Sequence, residues 1–429
     1  MRRTRLAVAI SLMAAAGMAH ATDGYFSNAY GMKAAGMGGA ATAMTDDAMG
    51  GANNPASMAF VGNRLDLGLT IFSPRRSASR SGMTGQFAGT NGSVDSNSNY
   101  FPVPELGYNH MVQPNLALGV TVYGNGGMNT NYRQDNFTCS AAGAVNNMLC
   151  GNGKLGVNLM QLIVAPTMAY KLNADNSIGI APLLGYQRFE AYGLQAFQGL
   201  SQTPGNVTNN GWDDSTGIGV RIGYLGKLTP TFSIGVSYAT KMRMTKFNKY
   251  SGLFADGGLF DIPENYSAGV AWKATPDLTL AADYQRINYG GVSSIGNPST
   301  NQAPLGAAGG PGFGWKDINV WKLGGEYRYD QQWTFRAGYN HCDNPIQSRD
   351  VTFNILAPGV IEDHLTLGAT YHMPSGGELT FAYMHAFQNS VSGASMLPPM
   401  ASGGMFPPSG NETITMYQNS IGISYGWKM

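Results

Sequence analysis

A chain of 429 residues with only 12% charged side chains is ill suited to a soluble multidomain protein, whose surface carries roughly 25% charge. The balance of 26 basic against 25 acidic residues offers no basic patch for nucleic acid, and no run of about eighteen apolar residues would let a helix cross a membrane. Abundant Gly (59) and Tyr (22) suit instead a barrel that shows apolar side chains to lipid and hides polar ones in its lumen.

The chain opens as a secretory signal over residues 1–21. Arg2, Arg3 and Arg5 form the charged region, Leu6 to Met18 the apolar one, and Ala19-His20-Ala21 a small-residue cleavage site. Its removal leaves 23 basic residues against 25 acidic ones, a net charge of −2, in an oxidising compartment.

Residues 22–63 do not alternate. They are rich in Gly, Ala and Met, as in Gly36-Met37-Gly38-Gly39-Ala40-Ala41, and end at Asn54-Pro55-Ala56. So short a stretch cannot fold alone. It is either a loose tail or a segment packed in the barrel mouth, where small residues let backbones approach. A wide lumen left empty would leak water, which favours the packed plug.

From Arg64 to Met429 fourteen alternating segments follow: 64–73, 101–111, 116–124, 158–172, 177–190, 212–228, 232–244, 262–274, 278–289, 316–329, 333–341, 362–372, 378–388 and 412–427. Ile421, Ile423, Tyr425 and Trp427 alternate with small residues, as do Leu365, Leu367, Ala369 and Tyr371. Short turns such as Thr229-Pro230-Thr231 and Thr275-Pro276-Asp277 alternate with connections of about seventeen to thirty residues, as in a barrel with all long loops on one face. The reading is all-β: a 14-stranded antiparallel transmembrane barrel, 64–429, in the bacterial outer membrane. Tyr123, Tyr238, Tyr289, Tyr371 and Trp427 sit at segment ends, where an interfacial girdle is expected. Cys139 and Cys150 share one long loop and are placed to close a small ring, with Cys342 left over at the top of a strand; no metal-ligand spacing is present.

Prolines are rare inside barrel strands because each removes a ladder donor. Pro102, Pro104, Pro166 and Pro182 nonetheless fall in segments two, four and five, flanking the third. They are either bulge residues without a role or a weak seam around strand three.

Gly24-Tyr25-Phe26, Gly38-Gly39-Ala40, Thr45-Asp46-Asp47-Ala48 and Asn54-Pro55-Ala56 resemble the N-terminal region of the FadL-type long-chain fatty-acid transporters, a family that includes importers of aromatic hydrocarbons. The likeness returns at Ile262-Pro263-Glu264, Trp315-Lys316-Asp317 and Trp333-Thr334-Phe335-Arg336-Ala337-Gly338; the chain departs in ending Trp427-Lys428-Met429 rather than in an aromatic residue. The resemblance implies a fourteen-stranded barrel plugged by its own N-terminal segment. It implies passage of a hydrophobic ligand from the outer loops to an inner pocket, then sideways through a gap at the third strand. Tyr25 and Phe26 become candidates for ligand contact, against a plain anchoring role. Lys316, matching the family's Lys-Asp element, and Arg188, matching more loosely, become candidates for a substrate carboxylate; each could instead pair with Asp317 or Glu190. Met32, Met37, Met44, Met49 and Met58 offer an adaptable surface or plain packing.

The expected activity is passive import of hydrophobic molecules, long-chain fatty acids first and aromatic hydrocarbons second, by a monomer with no cofactor, its only partners the ligand and outer-membrane lipid. A structural or adhesive barrel is the alternative outside transport. An enzyme is not expected: Gly422-Ile423-Ser424-Tyr425-Gly426 matches G-x-S-x-G, but within a strand rather than the sharp turn that motif needs.

Overall fold

The computed structural model describes residues 23–135, 137–139, 145–403 and 405–429, so the signal segment 1–21 lies outside it. Alternation of large apolar with small or polar residues produces fourteen long antiparallel strands that close into a barrel. They are β1 (Arg64–Ser81), β2 (Phe101–Gln113), β3 (Leu116–Asn129), β4 (Gly156–Lys171), β5 (Asn176–Tyr192), β6 (Asp213–Thr229) and β7 (Phe232–Ala239). The second half comprises β8 (Asn265–Lys273), β9 (Leu278–Ile287), β10 (Ile318–Arg328), β11 (Trp333–Cys342), β12 (Asp363–His372), β13 (Gly377–Ser395) and β14 (Ser409–Lys428). Closure is by β14 on β1, with Arg64 opposite Lys428 and Ser81 opposite Asn411. No helix among the described residues is long and apolar enough to cross a membrane.

The outer wall is apolar: Ile421, Leu367, Trp321 and Ile218 are all more than half exposed, whereas the intervening Gly422 and Thr366 are buried. That is the reverse of a soluble sheet and suits lipid as the outer solvent. Ser424 sits in this regular ladder, opposite Gly68 on one side and Thr380 on the other, not at a strand-to-helix turn.

Residues 23–63 lie inside the cylinder as short helical turns, Met32–Gly36, Gly50–Asn53, Pro55–Ser57 and Met58–Val61. Inward-facing groups hold them all round. Lys33 Nζ donates to Glu378 Oε2 at 2.7 Å, and Gly38 N to Thr366 Oγ1 at 2.8 Å. Ala41 N and Thr42 N both donate to Asp283 Oδ2 at 2.8 Å, and Lys322 Nζ to Asn28 O at 2.7 Å. Gly38 packs directly on the β11 backbone, where any side chain on Gly338 would meet it.

Asn54-Pro55-Ala56 docks on β5 and β6. Asn54 Nδ2 donates to Thr42 O at 2.8 Å and Tyr224 O at 3.0 Å, its Oδ1 accepts from Ala56 N at 3.1 Å, and Ser177 Oγ donates to Ala56 O at 2.9 Å. Gly179 and Gly223 on the wall leave the space that Pro55 and Asn54 occupy.

Two expected girdle residues are corrected. Tyr123 and Tyr289 are buried in the lumen, where Tyr123 packs on Tyr30 with ring centroids 4.4 Å apart and the Tyr289 hydroxyl donates to Asp23 O at 2.5 Å. Their partners on the N-terminal segment outcompete the lipid interface. Tyr238 and Trp427 do stand on the outer face, 38% and 41% exposed. The long loop after β3 carries a Cys139–Cys150 disulfide, Cα–Cα 5.6 Å, while Cys342 is buried with its Sγ donating to Ile361 O at 3.3 Å.

Candidate functional site

β3 parts from β2 half-way up the wall. The two strands pair from Gln113/Leu116 to Leu106/Val122 and no further, although β2 stays paired with β1 as far as Phe101/Phe72. Beyond Val122, β3 is buried on both faces through Asn129, unlike its one-sided neighbours. It bends into the lumen and gives its backbone to the N-terminal segment: Ser27 N donates to Asn125 O at 3.0 Å and Gly127 N to Tyr25 O at 3.2 Å, with Phe26 bridging Gly126. Gly126 permits this approach, since a Cβ there would collide with the Tyr25 carbonyl.

Pro102 and Pro104 lie in the stretch of β2 that has lost its β3 partner. Pro166 and Pro182 fall opposite one another in a second interruption, where β4–β5 pairing lapses between Val164/Leu184 and Met168/Ile180 with the register unchanged. Hydrogen bonding from strand two to strand five is therefore broken in two places.

Behind the β2–β3 parting lies a small cavity of about 40 Å³ lined by residues 27–32, Thr70, Val103, Pro104, Glu105, Tyr123 and Gly124. Glu105 Oε2 accepts from Gly31 N at 3.1 Å and so ties the N-terminal segment to the seam. A chain of buried amides runs inward from it. Tyr30 Oη donates to Asn125 Oδ1 at 3.0 Å, Asn125 Nδ2 to Gln161 Oε1 at 3.0 Å, Gln161 Nε2 to Gln187 Oε1 at 3.0 Å, and Gln187 Nε2 to Phe260 O at 2.8 Å. These amides thereby satisfy one another in sequence.

Above, the loops fold inward over an aromatic cluster. Tyr25 lies 5.2 Å from Tyr289, 6.0 Å from Trp315 and 6.2 Å from Phe260 between ring centroids, with Phe26 5.3 Å from Tyr25. Tyr25 N and Phe26 N both donate to the Tyr289 hydroxyl, at 3.1 and 3.3 Å. Burial pushes the Tyr25 and Tyr289 phenols well above their ordinary range, so both remain neutral. A second, still smaller cavity of about 20 Å³ adjoins Tyr25 and Trp315. Two far larger hollows, of about 840 and 810 Å³, lie among exposed wall residues such as Trp272, Leu323, Ile178 and Tyr238 and belong to the lipid-facing surface.

The structure brings Tyr25 and Phe26 together in the inner cluster but does not bring Arg188 or Lys316 to them. Arg188 stands on the outward face of β5, its guanidinium 4.3 Å over the Trp212 ring and 3.7 Å from Asp214 Oδ1. It therefore pairs with Asp214, not Glu190. Lys316 is exposed just before β10, and Asp317 pairs with Arg286 at 3.2 Å instead. The five methionines pack: Met37 and Met44 in one cluster, Met49 and Met58 in two others, and Met32 against Thr70 beside the seam. Glu105, Asn125 and Gly126 escaped the sequence reading, although three glycines within Gly124–Gly127 are a fair signal of close backbone approach.

The family model described as outer membrane protein transport protein (OMPP1/FadL/TodX) matches residues 7–397. The fold is similar to that of the P. putida toluene transporter TodX, with TM-score 0.67 at 17% identity over 94% of this chain and 99% of that one. It is similar also to a Pseudomonas aeruginosa FadL homologue (0.66, 16%, 94% and 99%) and to the Ralstonia pickettii toluene transporter TbuX (0.63, 19%, 93% and 98%). No match was found among curated proteins.

Proposed function

We propose, for a chain that belongs to the OMPP1/FadL/TodX family of outer membrane transport proteins, that hydrophobic molecules enter through the loops and leave sideways between β2 and β3. By family and fold the protein is a β-barrel of the bacterial outer membrane in a family of hydrophobic-compound channels. The observation that carries the lateral route is the combination of a filled axis with a parted wall. Residues 23–63 bond to lumen groups on many strands, while the small cavity behind the seam is bounded on one side by Val103, Pro104, Glu105, Tyr123 and Gly124, which lie past the end of the β2–β3 ladder.

The energetics favour that route. Each methylene is worth about 0.8 kcal/mol on leaving water, so a long acyl chain that has reached an apolar lumen gains nothing by emerging into an aqueous periplasm. A side exit toward lipid avoids the cost. No cofactor or energy source enters, and the N-terminal segment acts as the plug.

Long-chain fatty acids are the proposed substrates. The aromatic cluster of Tyr25, Phe26, Tyr289 and Trp315 favours a second reading, aromatic hydrocarbons, the class of compound carried by TodX and TbuX. Uptake of labelled oleate and labelled toluene, in cells with and without the gene, tests both: gene-dependent oleate uptake supports the first reading, toluene uptake alone the second, and neither overturns the channel assignment.

A further inference from the structure

One of the two large hollows on the lipid-facing wall, of about 810 Å³, spans the outer faces of β4 to β9. Short side chains form its floor and tall ones its sides. Val236 and Ala268 stand opposite one another, with Tyr224 and Tyr284 flanking them in the same register row. The next row toward the long loops carries Ile222, Tyr238 and Tyr266.

Along β6 the outward residues change character in that direction. Ile222 and Ile218 are 50% and 60% exposed, and Thr216 and Asp214 follow them. That switch from apolar to polar marks the edge of the hydrocarbon. Two cations stand at it. Beyond β7 the chain pairs with β6 again and sets Arg243 opposite Ile218, so Arg243 shares the outward face while Met242 and Met244 turn inward and are buried. Lys241 has the parity of Arg243 and is exposed, its Nζ donating to Gly291 O at 3.2 Å. Neither cation forms an ion pair among the described residues. The acids of this face are engaged elsewhere: Asp214 accepts from the Tyr186 hydroxyl at 2.6 Å and lies 3.7 Å from Arg188, and Glu264 accepts from the Tyr238 hydroxyl. Ile222 lies four residues below Ile218, about 13 Å at the usual strand rise, so one acyl chain reaches from the cations into the groove.

We propose that this face of β5 to β8 binds a phosphorylated, acylated glycolipid of the outer leaflet. Arg243 and Lys241 hold its phosphate, and an acyl chain lies in the groove between Tyr224 and Tyr284. An apolar trough alone would accept any lipid tail; the two uncommitted cations at the hydrocarbon edge select an anionic head, and a guanidinium suits phosphate oxygens in particular. The site goes beyond the transport reading and is separate from it, because neither β2 nor β3 lines the groove.

The purified full barrel in detergent is titrated with lipid A, phosphatidylglycerol and phosphatidylcholine, and bound lipid is counted by native mass spectrometry. The wild type should bind lipid A saturably and roughly tenfold or more tighter than either phospholipid, the worth of charge-assisted contacts to phosphate. Lys241→Gln combined with Arg243→Gln should weaken lipid A binding roughly tenfold and change phosphatidylcholine binding by less than about twofold. Arg243→Lys should retain part of the preference. Ala268→Trp fills the groove with both cations intact and should also weaken lipid A binding. Lipid A binding that is unchanged in both the double variant and Ala268→Trp, or no tighter than that of phosphatidylcholine, overturns the site. Phosphatidylglycerol binding as tightly as lipid A overturns the glycolipid assignment. Uptake of oleate and toluene should change by less than about twofold in the double variant. A wild type that takes up neither compound overturns the channel reading and leaves this site standing.

Discussion

The β14–β1 junction and the β2–β3 junction are built from similar alternating strands, yet they end differently. β14 and β1 pair without interruption from Arg64/Lys428 to Ser81/Asn411. β2 and β3 stop at Leu106/Val122, and the freed β3 backbone turns to Tyr25 and Ser27. A strand has only one set of hydrogen-bonding groups on each edge, so what β3 gives to the N-terminal segment it withholds from β2. Docking of the N-terminal segment and parting of the wall are thus one arrangement.

The largest expected effect comes from forcing the two apart. Gly126→Val puts side-chain atoms into the Tyr25 carbonyl and should cut hydrophobic uptake by roughly tenfold or more while raising ion conductance through the purified barrel. Unchanged uptake and conductance would mean that β3 and the plug are independent. A disulfide between Glu105→Cys and Tyr123→Cys, the pair next in register after Leu106/Val122, closes the seam. Uptake should fall several-fold and return on reduction, with the reduced wild type as control for Cys139–Cys150. Asn54→Ala removes bonds to Thr42 O and Tyr224 O and should destabilise the docked plug by about 1–3 kcal/mol, read as a raised ion leak with the barrel intact. The smallest effect belongs to the exposed cations. Arg188→Ala and Lys316→Ala should each alter oleate uptake by less than about threefold, because exposed pairs are worth little and neither residue lines the inner cavity.

Within the membrane the wall was legible because lipid outside and plug inside impose a period of two; Leu365, Thr366 and Leu367 could point only one way each. Above the bilayer that constraint fades. β1 runs on to Ser81, β3 to Asn129 and β13 to Ser395, where the sequence reading ended them at 73, 124 and 388. Tyr123 and Tyr289 differ for the opposite reason: residue type at a segment end suggests an interface, while their orientation depends on partners distant in sequence, Tyr30 and Asp23. The disulfide needed only two cysteines in one loop of a secreted chain.

Photolabelling addresses the exit route most directly. An oleate analogue with a diazirine near its methyl end, irradiated during uptake in cells, should mark Val103, Pro104 and Tyr123 beside the seam. Labels confined to the periplasmic mouth, around Glu378 and Lys428, would contradict a lateral exit and return the axial path.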